Sequence, residues 1–185
     1  MNISITSRES ILAVSTRIAT EQGLQSINMR SVAAACNVAV GSVYNYFPSK
    51  ADLIAATIEN VWKSVFHLAG NNDDMRDFTE HVKWIFESVR KGSDKYPSFF
   101  TLHSMSFADV EKTKGRQVMN QYFYHIKSSL LETLQKDNKV RTDAFRDDFP
   151  PEPFVDFVFS ILITLLMKNE TTCELLLEMI RRCIY

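Results

Sequence analysis

The sequence predicts an all-α fold, and three observations support this prediction. Apolar residues recur with helical spacing through most of the 185 residues. No segment alternates convincingly between apolar and polar residues, as a half-buried strand would. Glycine and proline number only five each, which is few for a chain of this length. With 45% hydrophobic and 23% charged residues, the chain has the composition of a folded globular protein.

The first predicted helix follows a capping box, in which Thr6 and Glu9 reciprocally satisfy free helix N–H groups. An apolar stripe that includes Ile11 and Ile18 gives this helix one buried face. Gly23 can adopt the left-handed conformation that ends such a helix.

Two short helices follow, and a tight turn separates them. Asn28 is the predicted N-cap of the second helix, residues 29–36. Asn37 then tolerates the left-handed conformation that few non-glycine residues adopt. The third helix is predicted over residues 40–46, and it stops before Pro48.

A second capping box, from Ser49 to Asp52, opens a long fourth helix that is predicted to reach about residue 68. The polar run at residues 70–74 is the best internal boundary, and the charged, proline-containing stretch 137–153 is a predicted loop. The apolar spacing predicts five further helices, over about residues 75–89, 97–107, 110–135, 152–168 and 171–183.

Composition limits the partners and the compartment. A formal net charge of −1 excludes a global basic field, so any affinity for nucleic acid must come from a few local contacts and from dimerisation. The three cysteines lack metal-ligand or redox spacing, which fits packed thiols in a reducing cytosol. No secretory signal precedes the first helix, and the most apolar run, residues 154–167, is too short to span a bilayer. We expect a cytoplasmic protein without a membrane segment.

We expect no enzymatic activity, no metal and no cofactor. The sequence contains no Ser/His/Asp or Cys/His arrangement, no glycine-rich phosphate loop and no evident pair of catalytic carboxylates. His81, His103 and His125 form no i, i+4 pair with the spacing of metal ligands.

Residues 29–46 have the layout of a helix-turn-helix, in which one helix braces a second that enters the major groove. The turn at Asn37 and Val38 is short and accepts a positive φ. Small residues at positions 39–41 would let the backbone of the second helix approach DNA closely. The pattern therefore indicates a DNA-binding surface in the first fifty residues.

Residues 28–53 resemble the DNA-binding signature of the TetR family of transcriptional regulators; they read NMRSVAAACNVAVGSVYNYFPSKADL. The resemblance covers roughly residues 7–60. It implies an all-helical homodimer with a helix-turn-helix DNA-binding domain at residues 1–48, a connecting helix at residues 49–70 and an effector-binding and dimerisation domain at residues 71–185.

The resemblance also implies DNA contacts for ten residues. Asn28 stands where the family usually has a threonine that caps the second helix and bonds a phosphate. Lys50 falls on the lysine that opens the fourth helix and usually meets backbone phosphate. The implied set is Asn28, Arg30, Ala39, Val40, Gly41, Ser42, Tyr44, Asn45, Tyr46 and Lys50.

Three positions depart from the family pattern. Asn37 replaces the usual turn glycine, Ala39 replaces a usual serine, and Val40 occupies a site that is often basic or polar. The first change is compatible with the turn, whereas the other two bear on base preference and affinity.

Aromatic residues are frequent beyond residue 60, and two interpretations stay open. They can be the ordinary core of a helical bundle, or some of them can line a ligand cavity for a small-molecule effector. The candidate cavity residues are Trp62, Phe66, Trp84, Phe100, His103, Tyr122 and His125.

The last two predicted helices carry more apolar residues than one intramolecular stripe requires. They suit a two-helix patch that pairs with the same patch of a second copy, although a wholly buried core helix is the alternative. The candidate interface residues are Phe154, Phe157, Val158, Ile161, Leu165, Leu176 and Ile180.

The sequence predicts a ligand-responsive regulator, a repressor rather than an activator, that binds a palindromic operator as a homodimer. The alternative is a co-regulator with the same fold that acts through protein–protein contacts, including as an activator. The expected partners are double-stranded operator DNA, a second copy of the chain and a small-molecule effector.

Overall fold

The computed structural model describes residues 7–69, 75, 77–100 and 113–185, and α-helices dominate these residues. Within these ranges the only β feature is an isolated bridge between Arg146 and Phe149. The all-α prediction is confirmed. The helices are α1 (Arg8–Gln22), α2 (Met29–Ala35), α3 (Val40–Tyr46), α4 (Lys50–Ala69), α5 (Phe78–Lys95), α6 (Thr113–Lys136), α7 (Pro151–Met167) and α8 (Glu174–Ile184).

The described residues form two compact units. The first contains residues 7–64 with 92–100 and 113–121, and the second contains the described residues of 65–91 with residues 122–185. These units group residues by contact, whereas the predicted domains at residues 1–48, 49–70 and 71–185 follow a functional division, which stays a prediction.

The first helix begins one residue later than the capping box predicts. The backbone N–H of Ser10 donates to the Ser7 hydroxyl oxygen at 3.1 Å, so Ser7 is the N-cap. Thr6 lies outside the described residues. The helix ends at Gln22 as expected, and Gly23 takes a φ of +84°, but its ψ of 163° is extended rather than left-handed helical.

The structure confirms the turn between α2 and α3. The side-chain oxygen of Asn28 accepts from the N–H of Ser31 at 2.8 Å and caps α2. Asn37 has a φ of +56°, which lets the chain reverse within a few residues. Cys36, predicted as the last helical residue, is the C-cap.

Buried contacts hold these helices in place within the first unit. Helix α2 packs against both α1 and α3. The hydroxyls of Ser15 in α1 and Thr57 in α4 are buried and lie 2.6 Å apart, which joins α1 to α4. Val43 and Phe47 insert into the same core and fix the rotation of α3 about its axis.

The start of α6 packs closely against α4 in the first unit. A Cβ placed on Gly115 would lie 3.1 Å from Cδ1 of Ile58, so only glycine fits without a shift. The indole N–H of Trp62 lies 3.1 Å from the sulfur of Met119. Lys114 forms an ion pair with Asp52, with Nζ and Oδ1 2.6 Å apart.

In the second unit, Asp137 joins the start of α5 to the segment that follows α6. Its buried carboxylate accepts from the backbone N–H groups of Phe78 and Lys139 and from the hydroxyl of Tyr185. An aromatic cluster packs beside it and gives the non-helical segment between α6 and α7 an ordered structure. Its members are Phe78, Phe145, Phe149 and Phe154.

The helix predicted from Pro97 does not start there. Residues 97–100 form a turn and a bend after the end of α5, with the N–H of Phe99 donating to the carbonyl of Tyr96. The rest of that predicted helix, and the polar break at residues 70–74, lie outside the described residues. Within the described ranges, no helix is both long and apolar enough to cross a membrane.

Candidate nucleic-acid interface and ligand cavity

Helix α3 has one buried face and one exposed face. Val43 is fully buried, and Phe47 directly after the helix is 2% exposed. Tyr44 and Tyr46 point outward, with 48% and 41% of their surfaces exposed. Asn45 is also exposed, so the outer face presents two phenols and an amide, which are side chains that can bond DNA bases and phosphates.

The front of α3 exposes its backbone. Ala39 and Gly41 are exposed, and Val40 and Ser42 are half-buried. A Cβ added to Gly41 would meet no protein atom within 4 Å. Glycine within a helix costs about 0.5–1 kcal/mol relative to alanine. Nothing in the packing of the described residues requires glycine at position 41.

Cationic side chains lie on the helices that precede and follow α3 in the sequence. Arg30 in α2 is exposed, and Lys50 is the half-buried first residue of α4. The structure adds Arg8, which is not among the ten predicted residues. Its guanidinium lies 5.1 Å from the centroid of the Phe47 ring, beside the end of α3. Arg8 is far from α3 in sequence, so the sequence does not indicate that it lies beside the end of this helix.

None of the ten residues predicted to contact DNA is buried. Asn28 and Arg30 belong to α2 and its cap, residues 39–46 to α3 and its cap, and Lys50 to α4. These segments follow one another within the first unit, and packing of α1 and α4 fixes their shared core. The DNA contacts themselves stay predictions.

A cavity of about 350 Å³ lies in the second unit. Four of the seven predicted residues line it: Phe66, Trp84, Tyr122 and His125. Of the other described residues, Ile85, Ile126 and Ser129 also line it. They were missed because isolated aliphatic and serine positions in a helix carry no sequence signal for a cavity. The predicted effector-binding role of the cavity stays a prediction.

The other three candidates lie elsewhere. Trp62 is buried in the first unit, where its ring meets that of Phe100 edge to face at 5.6 Å. These two aromatics therefore belong to the first unit, and neither lines the cavity. His103 lies outside the described residues.

A buried histidine lies beside the cavity residue Trp84, with ring centroids 5.9 Å apart. Thr133 donates its hydroxyl proton to the carbonyl of Ser129, so its oxygen accepts from Nδ1 of His81 at 2.8 Å. Burial lowers the pKa of His81 from 6.5 to about 4. His81 is therefore neutral near pH 7, with its proton on Nδ1.

The structure divides the predicted interface residues into two groups. Phe154, Val158, Leu176 and Ile180 are buried within a single chain and belong to its core. Phe157 is 56% exposed, and Ile161 and Leu165 are half-buried. An interface formed by Phe157, Ile161 and Leu165 stays a prediction.

On α8 the exposed apolar positions are the neighbours of the predicted ones. Leu175 is 78% exposed and Met179 is 49% exposed. The sequence contained a signal that Leu175 faces solvent. Glu178 and Arg182 follow it by three and seven residues and so lie on the same side of the helix, where they pair with each other at 2.8 Å. Because residues 175–177 are all leucine, the sequence does not indicate which of them faces the core.

The described ranges contain no cluster of metal-binding side chains. There, no three His, Cys, Asp or Glu side chains lie close enough together to hold an ion.

Comparison with known proteins identifies the amino-terminal region. Residues 11–57 match the family model described as bacterial regulatory proteins, tetR family. This region of the chain is a TetR-family domain. The helix-turn-helix formed by α2 and α3 lies within this matched region.

Curated relatives carry two different names. The transcriptional repressor KstR of Rhodococcus jostii is 25% identical over 111 residues, which cover 60% of this chain and 52% of KstR. The nucleoid occlusion factor SlmA of Vibrio cholerae is 25% identical over 142 residues, covering 76% of this chain and 72% of SlmA. This chain thus spans only about half the length of the KstR relative.

Solved structures share the whole fold. A TetR-family regulator from Rhodococcus sp. superposes with a TM-score of 0.65 over 100% of both chains at 13% identity. The multidrug binding protein EbrR complexed with imidazole superposes with a TM-score of 0.64 at 20% identity, covering 96% of this chain and 89% of EbrR. At these identities the likeness establishes the fold.

Proposed function

We propose that this TetR-family regulator is a dimeric repressor that binds a palindromic operator through α3 and responds to a small molecule. The outward face of α3 carries the proposal. It exposes Tyr44, Asn45 and Tyr46, while Val43 and Phe47 hold the helix in the core. The name of KstR as a transcriptional repressor supports the sign of regulation.

Affinity for DNA would come from local charge rather than from the whole chain. The net charge is −1, so Arg8, Arg30 and Lys50 around α3 would supply the phosphate contacts. Each neutralised phosphate releases counterions and steepens the salt dependence of binding. A dimer doubles these contacts and offsets their small number in one chain.

Dimerisation would use the exposed apolar residues of α7 and α8. Phe157, Leu175 and Met179 are large, apolar and exposed, so covering them in a dimer would remove apolar surface from water. A two-fold pair of these helices would form a four-helix interface. Two copies of α3 spaced about one duplex turn, roughly 34 Å, would then read a palindrome.

The response to a ligand would be a shift between two dimer geometries. The cavity offers a binding site of the size that small molecules occupy. A ligand changes operator affinity only to the extent that it binds one geometry more tightly than the other. Ligand binding with unchanged operator affinity would remove this part of the proposal and leave DNA binding intact.

The test is a titration of duplex DNA with the full chain at several salt concentrations. We expect affinity that falls steeply and linearly in a log–log plot as salt rises. Salt-insensitive binding, or no binding to any duplex, would contradict direct DNA recognition.

A second candidate is a DNA-bound protein that acts mainly through contacts with other proteins. The SlmA matches favour it, because they cover more of this chain than the KstR match does, and SlmA is named for nucleoid occlusion rather than transcription. Genome-wide occupancy with transcript levels separates the candidates. A repressor predicts raised transcripts beside bound sites when the chain is deleted, whereas the second candidate predicts bound sites without such changes.

A further inference from the structure

We propose that the cavity of the second unit binds a flat, uncharged aromatic compound that carries hydrogen-bonding groups along one edge. This inference rests on the proposed function, because it specifies the chemical class of the small molecule to which the regulator would respond.

The size of the cavity suits one compact molecule. Its volume of about 350 Å³ is near the lower end of the range of roughly 300–1,000 Å³ that small-molecule sites occupy. A compact ring system fits such a space, whereas a peptide does not.

The apolar side of the cavity favours a flat ligand. The rings of Phe66 and Trp84 have centroids 5.8 Å apart and planes inclined by only 25°. Both rings line the cavity, and Ile85 adds an aliphatic surface beside them. Aromatic rings attract one another best in offset-stacked or edge-to-face arrangements. A planar ring system extends this pair, and a puckered saturated ring makes fewer contacts with it.

The polar side of the cavity lies along one helix. Tyr122, His125 and Ser129 are spaced by three and four residues on α6, so they form one stripe. The Ser129 hydroxyl donates to the carbonyl of Ile126 at 3.0 Å, which leaves its oxygen as an acceptor. A phenol and an imidazole can each donate and accept. The stripe matches a row of polar groups on one edge of a ligand.

The lining favours a neutral ligand. Among the described residues it contains no Asp, Glu, Lys or Arg, and a charge moved from water without a counter-ion is disfavoured. The charged neighbours of the lining residues are engaged elsewhere. Lys83, next to Trp84, pairs with Glu174, and Lys127, next to Ile126, pairs with Asp156.

A matched series of two-ring probes tests each property separately. Calorimetry with the full chain compares 2-naphthol, which is flat, neutral and polar on one edge, with three analogues. Decahydro-2-naphthol keeps the hydroxyl but is not flat, 2-naphthoate carries a charge, and naphthalene lacks the polar edge. We expect 2-naphthol to bind most tightly, each analogue to bind at least fivefold more weakly, and only 2-naphthol to raise the melting temperature clearly.

Two serine variants locate the binding. Ser129→Ala removes the acceptor and should weaken 2-naphthol binding about five- to tenfold, with no effect on naphthalene. Ser128→Ala, one position away on α6 and outside the cavity lining, is the control and should leave both affinities unchanged. Both are conservative replacements at half-buried positions, and circular dichroism checks that each variant folds.

Tighter binding of the naphthoate or of the saturated alcohol overturns the inference, and so does the absence of any probe binding. An equal effect of both serine variants also overturns it. Operator affinity is measured in parallel. Intact DNA binding with no probe bound contradicts only the ligand class, whereas selective 2-naphthol binding that leaves operator affinity unchanged supports the ligand class and contradicts the proposed ligand response.

Discussion

At the scale of single residues, replacing Gly41 should have opposite effects on folding stability and on DNA affinity. An added Cβ meets open space, so Gly41→Ala should raise the free energy of unfolding by about 0.5–1 kcal/mol. If the backbone of α3 approaches DNA closely, the same methyl group lies between the two surfaces and should weaken operator binding at least tenfold. Chemical denaturation and duplex titration measure both effects in one variant. A more stable protein with unchanged DNA affinity would show that α3 makes no close approach there.

Lys50 gives a second test at this scale, because a phosphate contact has a specific salt signature. Lys50→Ala should weaken binding to all duplexes similarly and reduce the slope of log affinity against log salt by about one. Lys63→Ala is the matched control on the same helix, since Lys63 is exposed and pairs with Glu59 at 2.6 Å. Equal slopes for Lys50→Ala and the wild type would exclude the contact.

His81 makes stability depend on pH in a defined window. Its pKa falls from 6.5 in the unfolded chain to about 4 in the folded one because of burial. Its full contribution is therefore present above about pH 6.5, and roughly 3 kcal/mol is lost as pH falls through 4. Denaturation between pH 7 and 4 should show this loss in the wild type and a flatter profile in His81→Gln. Thr133→Val, which keeps the histidine, should retain the slope; a wild-type slope in His81→Gln would refute the assignment.

Asp77 affects stability at a lower pH than His81 does, so the two contributions can be measured separately. Burial raises the pKa of its carboxyl, but hydrogen bonds from Thr79, the N–H of Glu80 and Lys139, with the charge of Lys139, outweigh this and lower it to about 2. Its stabilisation is thus present above about pH 4 and is lost as pH falls through 2. The window used for His81 lies above this range.

At the scale of helices, local signals predicted the amino-terminal elements well. The bounds of α3 follow from Asn37, which permits the turn, and Pro48, which stops the helix. Ser49 and Asp52 cap α4 as the sequence indicates, with the Ser49 hydroxyl donating to the carboxylate at 2.7 Å. These interactions join residues that are close in sequence, so they can be predicted from the sequence alone.

The cavity and the interface residues depend on tertiary packing and were only partly predictable. Trp62 and Phe66 are four residues apart on α4, yet one is buried against Met119 and the other lines the cavity. The leucine run of α8 likewise allows more than one inward phase. Which apolar residue faces the core is decided by neighbouring helices that are distant in sequence.

The exposed apolar residues of α7 and α8 lead to a test at the scale of helices. Phe157→Glu combined with Leu175→Glu should convert the proposed dimer to a monomer, because two-fold pairing would bring like charges together without water. Sedimentation measures the association state. The control is Gln135→Glu, a substitution at an exposed position on α6. A double variant that remains dimeric would place the interface elsewhere.

At the scale of the whole molecule, the proposed function requires two α3 helices to act on one duplex. A chain with a net charge of −1 has little general attraction for DNA, so we expect specific binding to depend on the pairing of two α3 helices. Loss of dimerisation should therefore abolish operator binding even when α3 is intact. This links the exposed residues of α7 and α8 to the function of the first unit.

Selection of bound duplexes from a random pool by the full-length chain tests this claim most directly. We predict a recovered palindrome whose half-sites lie about one helical turn, roughly 34 Å, apart or a multiple of it. Recovery of no common sequence, or of a single half-site without a symmetric partner, would contradict the account.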